Sequence, residues 1–113
     1  MSAPAALPQP ELVVLYRWRL HPGMEASFVE SWSRLTELLR HAGSLGSRLH
    51  RGNDGIWYGY AQWPSAETRQ RAFSQALDPA ASAHMRAAIA ETLPEILLEP
   101  VADFLVLPGV SVV

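Results

Sequence analysis

The 113-residue chain has no cysteine and no lysine, because all nine of its basic residues are arginine. Without cysteine there can be no disulfide bond, no thiol nucleophile and no zinc site built on thiolates. Without lysine there can be no Schiff base to a carbonyl substrate and no P-loop, whose lysine contacts nucleotide phosphates. Several large classes of enzyme are therefore excluded.

Charge is also scarce and nearly balanced, since 18% of the residues are charged and the formal net charge is -2. No basic run provides the electrostatic footprint of a nucleic-acid binder. No apolar stretch approaches the ~20 residues of a membrane span, and the first basic residue is Arg17, too late for a signal peptide. We expect a cytoplasmic protein that binds neither nucleic acid nor a membrane.

What is present is the apolar content of one folded domain. Hydrophobic residues make up 49% of the chain, and its length is that of a single domain. We expect this domain over residues 11–108. A flexible arm with three prolines precedes it at residues 1–10, and a short tail follows at residues 109–113.

The first half of the chain alternates between strand and helix patterns. Runs rich in β-branched and aromatic residues predict strands at Leu12 to Leu20, Leu45 to Arg51 and Ile56 to Trp63. Apolar residues recur at helical spacing from Met24 to Leu39, and Gly43 marks the end of this helix. The segment 52–55 (GNDG) predicts a hairpin turn between the second and third strands.

The second half begins with two helix signals. Ser65 is a natural N-cap for a helix that extends to about Leu77. Asp78 followed by Pro79 predicts a second start, with a helix to about Leu93. A loop between Pro94 and Pro100 and a last strand from Val101 to Leu107 complete the expected order.

The order of elements is β-α-β-β-α(α)-β, which is typical of an α+β, ferredoxin-like split βαβ fold with a four-stranded antiparallel sheet. Ile56, Tyr58 and Tyr60 alternate with Trp57 and Gly59, so both faces of the third strand are apolar. A second copy of the chain is the expected cover for the face without helices, which predicts a homodimer with a closed α/β barrel. The alternative is that these tyrosines are ordinary surface residues.

Four segments carry a family resemblance that covers about residues 12–107. They are HPG-x-E-x-x-F-x-x-x-W, AGSLGSRLHRGNDG, YAQWPSAE and LDPAASAHMR. Together they resemble the antibiotic biosynthesis monooxygenase family, and most closely its members that oxidise an anthrone to a quinone. The resemblance implies a dimeric α/β barrel with a pocket between sheet and helices in each subunit. It also implies no metal, flavin or haem, and direct reaction of a reduced aromatic substrate with O2.

The resemblance also implies site residues by position. A catalytic tryptophan falls on Trp63, and a catalytic arginine falls on Arg86 if one extra residue follows Asp78. The family's asparagine position falls on Gly59 and its tyrosine position on Arg69, so two of the four groups are replaced.

The residues support a pocket independently of the resemblance. Trp57, Gly59 and Trp63 share one side of the third strand, and the small residue between the indoles leaves a notch for a flat aromatic ligand. On the next helix Arg69 shares the buried face with Phe73, so it points inward. The alternatives are that both indoles are core, and that Arg69 pairs with a nearby carboxylate.

Arg86 shares the buried face of the following helix and could stabilise an anionic substrate or its enolate. Its alternative is a position at the helix edge. The spacing of the four histidines matches no metal site. His50, in the second strand, is the best candidate for a general base, and the alternative is that it is an ordinary polar residue of that strand.

Three functions remain open. The leading interpretation is a cofactor-independent monooxygenase that oxidises an electron-rich aromatic or quinol-type small molecule with O2. The second is a non-catalytic dimer that binds a small ligand, and isomerase or cyclase chemistry on the same barrel is a further possibility. A haem-degrading relative is the remaining alternative, but its Asn, Trp and His positions fall near Tyr16, Ala72 and Met85, with His84 one place off.

Overall fold

The computed structural model describes residues 9–106, and within them the chain is an α+β fold with a four-stranded antiparallel sheet. The predicted tail and most of the predicted arm lie outside these residues. The elements are β1 (Leu12–Leu20), α1 (Glu25–His41), β2 (Gly46–Arg51), β3 (Trp57–Trp63), α2 (Ala66–Phe73), α3 (Pro79–Ala88) and β4 (Ile89–Leu98). The ferredoxin-like order predicted from the sequence is confirmed.

The strands lie in the order β2-β3-β1-β4. The register places Tyr16 opposite Gly59 and Trp18 opposite Trp57. Because directly opposed residues of an antiparallel pair point to the same side, these four side-chain positions share one face of the sheet. The helices pack on this face, which we call the inner face.

Two apolar clusters fill the space between the inner face and the helices. One joins Val14, Ala61 and Trp63 to Ala72 of α2. The other joins Trp18 and Trp57 to Phe28 of α1 and Ala88 of α3. The two central strands, β1 and β3, therefore contribute alternate residues to the core, as the period of two along a strand requires.

Both predicted N-caps are formed. The Ser65 hydroxyl accepts a hydrogen bond of 3.1 Å from the Thr68 N–H at the start of α2. The Asp78 carboxylate accepts one of 3.0 Å from the Ala81 N–H at the start of α3. Helix α2 ends at Phe73, about one turn before the predicted end at Leu77. None of the helices in the described range is long and apolar enough to cross a membrane.

The prediction for the last third of the chain is wrong. Helix α3 ends at Ala88, and the segment predicted as helix and loop forms the edge strand β4. Residues 101–106 of the predicted last strand form no strand, and position 107 lies outside the described residues.

A bulge explains how Pro94 can lie within this strand. The register between β1 and β4 shifts between Leu15 and Arg17, where β4 has one residue more than β1. Proline is tolerated in edge strands and at such bulges, because no ladder N–H is needed there. Arg17 occupies the irregularity, since its Nε and Nη2 donate to the Pro94 carbonyl at 3.2 and 2.8 Å.

The opposite side of the sheet, the outer face, carries an apolar row between polar and charged residues and is only partly covered. Its row across three strands is formed by Tyr60, Leu15 and Ile96, which are directly opposed. Tyr60 and Leu15 are half-buried, whereas Ile96 is exposed. Beyond β4 the side chains of Val101 and Phe104 are exposed almost completely.

Candidate functional site

A cavity of about 510 Å³ lies between the inner face of β1 and the three helices. This volume is in the range of small-molecule sites. Its walls are mostly apolar and aromatic, with a few polar groups among them. The lining residues are Tyr16, Trp18, Trp32, Leu35, Thr36, Leu39, Ala72, Phe73, Gln75, Ala76, Leu77, Pro79, Ser82, Met85 and Arg86.

The sheet side of the cavity is an aromatic wall. The rings of Tyr16 and Trp18 are stacked, with centroids 5.8 Å apart and planes inclined by 6°. Alternation along β1 puts both on the inner face. Two parallel aromatic side chains make this side of the cavity an apolar, aromatic surface against which an aromatic ligand can pack.

Gly59 lies directly beneath this wall. A Cβ atom at position 59 would approach the Trp18 ring to 2.9 Å, which is closer than real Cβ contacts. The notch predicted at Gly59 therefore exists, but the Trp18 indole fills it and no ligand can occupy it. The prediction of Gly59 as a ligand-contacting position is corrected to a position that seats the cavity wall.

Both indoles of β3 are core residues. Trp63 is only 1% exposed and packs beneath the wall against Ala72 and Tyr16, with its ring 5.8 Å from that of Phe73. Trp57 is buried in the second cluster, edge-on to Phe28 at 6.0 Å. Neither residue lines the cavity.

Arg69 joins the aromatic wall to the edge strand. Its Nε donates to the Tyr16 hydroxyl oxygen at 3.2 Å, and its Nη2 donates to the Glu95 carboxylate at 2.7 Å. The guanidinium also lies over the rings of Tyr16 and Phe73, at 5.5 and 5.4 Å from their centroids. The carboxylate pairing that was one alternative for Arg69 is thus present, with β4 supplying the partner.

The Tyr16 phenol is protonated at neutral pH. Burial raises the pKa of this phenol above its ordinary value, and the hydrogen bond and positive charge of Arg69 only partly oppose the rise. Tyr16 lines the cavity, and its neutral hydroxyl has an oxygen that already accepts a hydrogen bond from Arg69.

Arg86 and Phe73 are the predicted site residues that line the cavity. The Arg86 side chain is exposed, and no carboxylate within residues 9–106 forms an ion pair with it. Its charge is therefore free to face a ligand.

His50 is not brought to the cavity. It is exposed and stands opposite Tyr58 in the β2–β3 register, which places it on the outer face. A general base for a ligand in the cavity cannot come from this side chain in the described arrangement.

The haem alternative gains no ligand set from the structure. Its three carried-over positions do meet at the cavity wall, but they hold Tyr16, Ala72 and Met85. His84 is exposed and is not part of the lining. Across residues 9–106, no group of three or more His, Asp or Glu side chains is placed to hold a metal ion.

Sequence reasoning missed Tyr16, Trp18 and Trp32 as wall residues and Glu95 as the partner of Arg69. The signal for the first three was present, because β1 and α1 each turn aromatic residues toward the core side. Glu95 could not be found, since it belongs to a strand that the sequence did not predict.

Comparison with known proteins gives structural matches alone. No model of a protein family matches the sequence, and no curated protein matches it. One solved structure is SnoaB of Streptomyces nogalater, described as a cofactor-independent oxygenase. It is 18% identical, covers 85% of this chain and 98% of its own, and has a TM-score of 0.71.

A candidate antibiotic biosynthesis monooxygenase of Bordetella bronchiseptica is 18% identical, with 83% of this chain and 100% of its own covered and a TM-score of 0.72. A third match is PA3566 of Pseudomonas aeruginosa, also 18% identical, with 86% and 100% covered and a TM-score of 0.67. The chain therefore has the fold of the antibiotic biosynthesis monooxygenases.

Proposed function

We propose that this chain is a monooxygenase of the antibiotic biosynthesis type. It oxidises an electron-rich, planar aromatic or quinol-type small molecule with O2 and uses no cofactor. The observation that carries the proposal is the cavity of about 510 Å³, with two parallel aromatic rings and an arginine among its lining residues. The fold shared with SnoaB, described as a cofactor-independent oxygenase, supports the same reaction type.

The chemistry requires an electron-rich anion of the substrate. An anthrone-type CH2 group loses a proton to give an enolate, and O2 then converts that carbon to a ketone while the second oxygen atom leaves as water. The atoms balance as CH2 + O2 giving C=O + H2O. Because the enolate is negative, a fixed positive charge lowers the cost of deprotonation.

Arg86 is the residue we assign to this role. Arg86 lines the cavity, and its guanidinium is permanently charged. Trp63, which the resemblance placed among the catalytic groups, is buried in the cluster against which Tyr16 packs, so its role is to support the aromatic wall and not to contact the substrate.

The test is oxygen uptake by the purified, metal-free protein with a tricyclic anthrone. We expect uptake above the spontaneous rate, and a decrease of at least about tenfold in kcat/KM for Arg86→Ala, since removing one electrostatic donor commonly costs that much or more. Arg71→Ala is the matched control, because Arg71 is exposed on α2 and does not line the cavity. Equal rates for wild type and Arg86→Ala would refute the assigned role.

A non-catalytic ligand-binding protein is the second candidate. The observation that favours it is that neither Gly59 nor Trp63 reaches the cavity, so two carried-over positions offer no group to a substrate there. Binding of an aromatic ligand without any oxygen uptake would decide for this candidate. Trp18 and Trp32 both line the cavity, so a decrease in their fluorescence measures such binding.

We further propose that the chain works as a homodimer through its outer face. The apolar row of Tyr60, Leu15 and Ile96 supports this, as do the exposed Val101 and Phe104 beyond β4. A contiguous apolar surface of this kind is typical of an interface.

A further inference from the structure

We propose that Tyr16 is the hydrogen-bond donor by which the cavity selects its ligand. Its hydroxyl donates to a ketone or enolate oxygen of the planar aromatic molecule, and Arg69, held by Glu95, positions it. This inference rests on the proposed function for the planar aromatic class of ligand, and it adds the polar group that the ligand must carry.

The hydrogen bond that the Tyr16 oxygen accepts restricts the direction of its own hydroxyl hydrogen. Arg69 has only donors, so the 3.2 Å contact between its Nε and the Tyr16 hydroxyl uses a lone pair of that oxygen. The hydroxyl hydrogen must therefore point away from Arg69. Among residues 9–106 no acceptor takes it, although Tyr16 lines the cavity. A ligand in the cavity, which Tyr16 lines, supplies the acceptor.

The charge of Arg69 strengthens Tyr16 as a donor. A cationic donor on the phenol oxygen polarises its O–H bond, which strengthens the hydrogen bond that this hydroxyl donates. The indole N–H of Trp63 is buried and has no acceptor at hydrogen-bond geometry in the described part of the chain.

The position of Tyr16 is fixed before any ligand arrives. Its ring is stacked on Trp18 at 5.8 Å on one side, and the Arg69 guanidinium lies 5.5 Å from its centroid. Arg69 is itself held by the 2.7 Å ion pair to Glu95. A donor that needs no rearrangement gives its full interaction energy to the ligand.

The consequence is discrimination between ligands of nearly the same shape. A planar tricycle with a ketone oxygen can accept the Tyr16 proton, whereas the corresponding hydrocarbon leaves the hydroxyl without a partner. A site built to hydrogen-bond a polar group rejects the analogue that lacks it, because its own polar group is then unpaired.

The experiment compares fluorenone with fluorene, two flat tricycles that differ by the ketone and cannot form the enolate that the proposed reaction requires. Affinities come from quenching of tryptophan fluorescence in the full-length protein. We expect wild type to prefer fluorenone, and Tyr16→Phe to weaken fluorenone binding about fivefold, the value of a typical hydrogen bond. Fluorene binding should be unchanged.

Two variants separate positioning from loss of packing. Arg69→Met should reduce the preference for fluorenone, and it should raise the pKa of Tyr16 further in an ultraviolet titration, because the arginine favours the phenolate. Tyr58→Phe removes a hydroxyl that donates to Asp54 in the β2–β3 hairpin, away from the cavity, and should change neither affinity.

If Tyr16→Phe weakens the binding of fluorenone and of fluorene equally, Tyr16 acts through packing alone and the proposal is overturned. The same conclusion follows if wild type shows no preference for fluorenone. Oxygen uptake is measured separately, so a ketone preference without uptake would reject the monooxygenase and leave Tyr16 as the selecting donor.

Discussion

Gly59 and Trp18 form one structural unit, although they lie on different strands. They are packed so closely that a methyl group at position 59 would come within 2.9 Å of the indole. The position of Trp18 in turn supports the aromatic wall of the cavity, through its stacking on Tyr16. The geometry of the cavity thus depends on the absence of a side chain on the neighbouring strand.

We predict that Gly59→Ala destabilises the fold by about 1–3 kcal/mol, because the added methyl group overpacks a well-filled core. Urea unfolding measures the change. In the Trp18→Phe background the smaller ring leaves room, so the same substitution should cost less and the two changes should be non-additive. Additive effects of the two substitutions would show that position 59 and the indole do not interact.

The sequence predicted which residues face inward but not which of them a ligand could reach. Alternation along β3 placed Trp57, Gly59 and Trp63 on the helix side of the sheet, where they are. Whether such a residue opens on a cavity depends on what lies over it. Trp18 covers Gly59, and Tyr16 and Ala72 pack over Trp63. These contacts depend on the register of two strands, which periodicity does not provide.

Helices and strands with a local signal were predicted well, and the one element without such a signal was not. The caps at Ser65 and Asp78 are set by side-chain hydrogen bonds to nearby N–H groups, so the residue type was sufficient evidence. Strand β4 is determined by pairing with β1 and contains Pro94, which marked a loop in the sequence. Its bulge depends on Arg17, 77 positions away, and no local pattern can show such a contact.

Ser65 should matter more than its partly exposed position suggests. Helix α2 is only eight residues long, and it carries Arg69 to the Tyr16 hydroxyl. We predict that Ser65→Ala costs about 1 kcal/mol of unfolding free energy, through loss of the cap to the Thr68 N–H. Urea unfolding is the measurement.

Ser33→Ala is the matched control, because Ser33 is exposed within α1 and caps no helix. It should change the unfolding free energy by less than about 0.5 kcal/mol, as is usual for surface positions. Equal effects of the two alanine substitutions would mean that the cap at Ser65 contributes nothing specific.

At the scale of the whole molecule, the helices of residues 9–106 cover the inner face of the sheet, whereas the outer face carries an apolar row that they leave uncovered. The order of elements was enough to predict the ferredoxin-like arrangement, because few topologies accommodate it. The outer face keeps Leu15 and Tyr60 half-buried and Ile96 exposed. In an isologous dimer the same surface of both subunits forms the interface, so each of these residues would be buried in both copies.

This symmetry makes the dimer sensitive to one charge. We predict that the wild-type chain sediments at twice its mass of 12.5 kDa. Ile96→Asp should sediment as a monomer, since a charge buried without a partner appears twice in the interface. Val29→Asp is the control, because Val29 on α1 is 40% exposed, against 39% for Ile96, and lies away from the outer face.

Sedimentation equilibrium over a range of concentrations gives the mass, and circular dichroism shows whether each variant is folded. Dissociation by Ile96→Asp alone would place the interface on the outer face. A wild-type chain that stays monomeric at every concentration would contradict the dimer. Loss of the dimer in both variants would assign the effect to added charge, so the matched exposure of the two positions is what makes the comparison decisive.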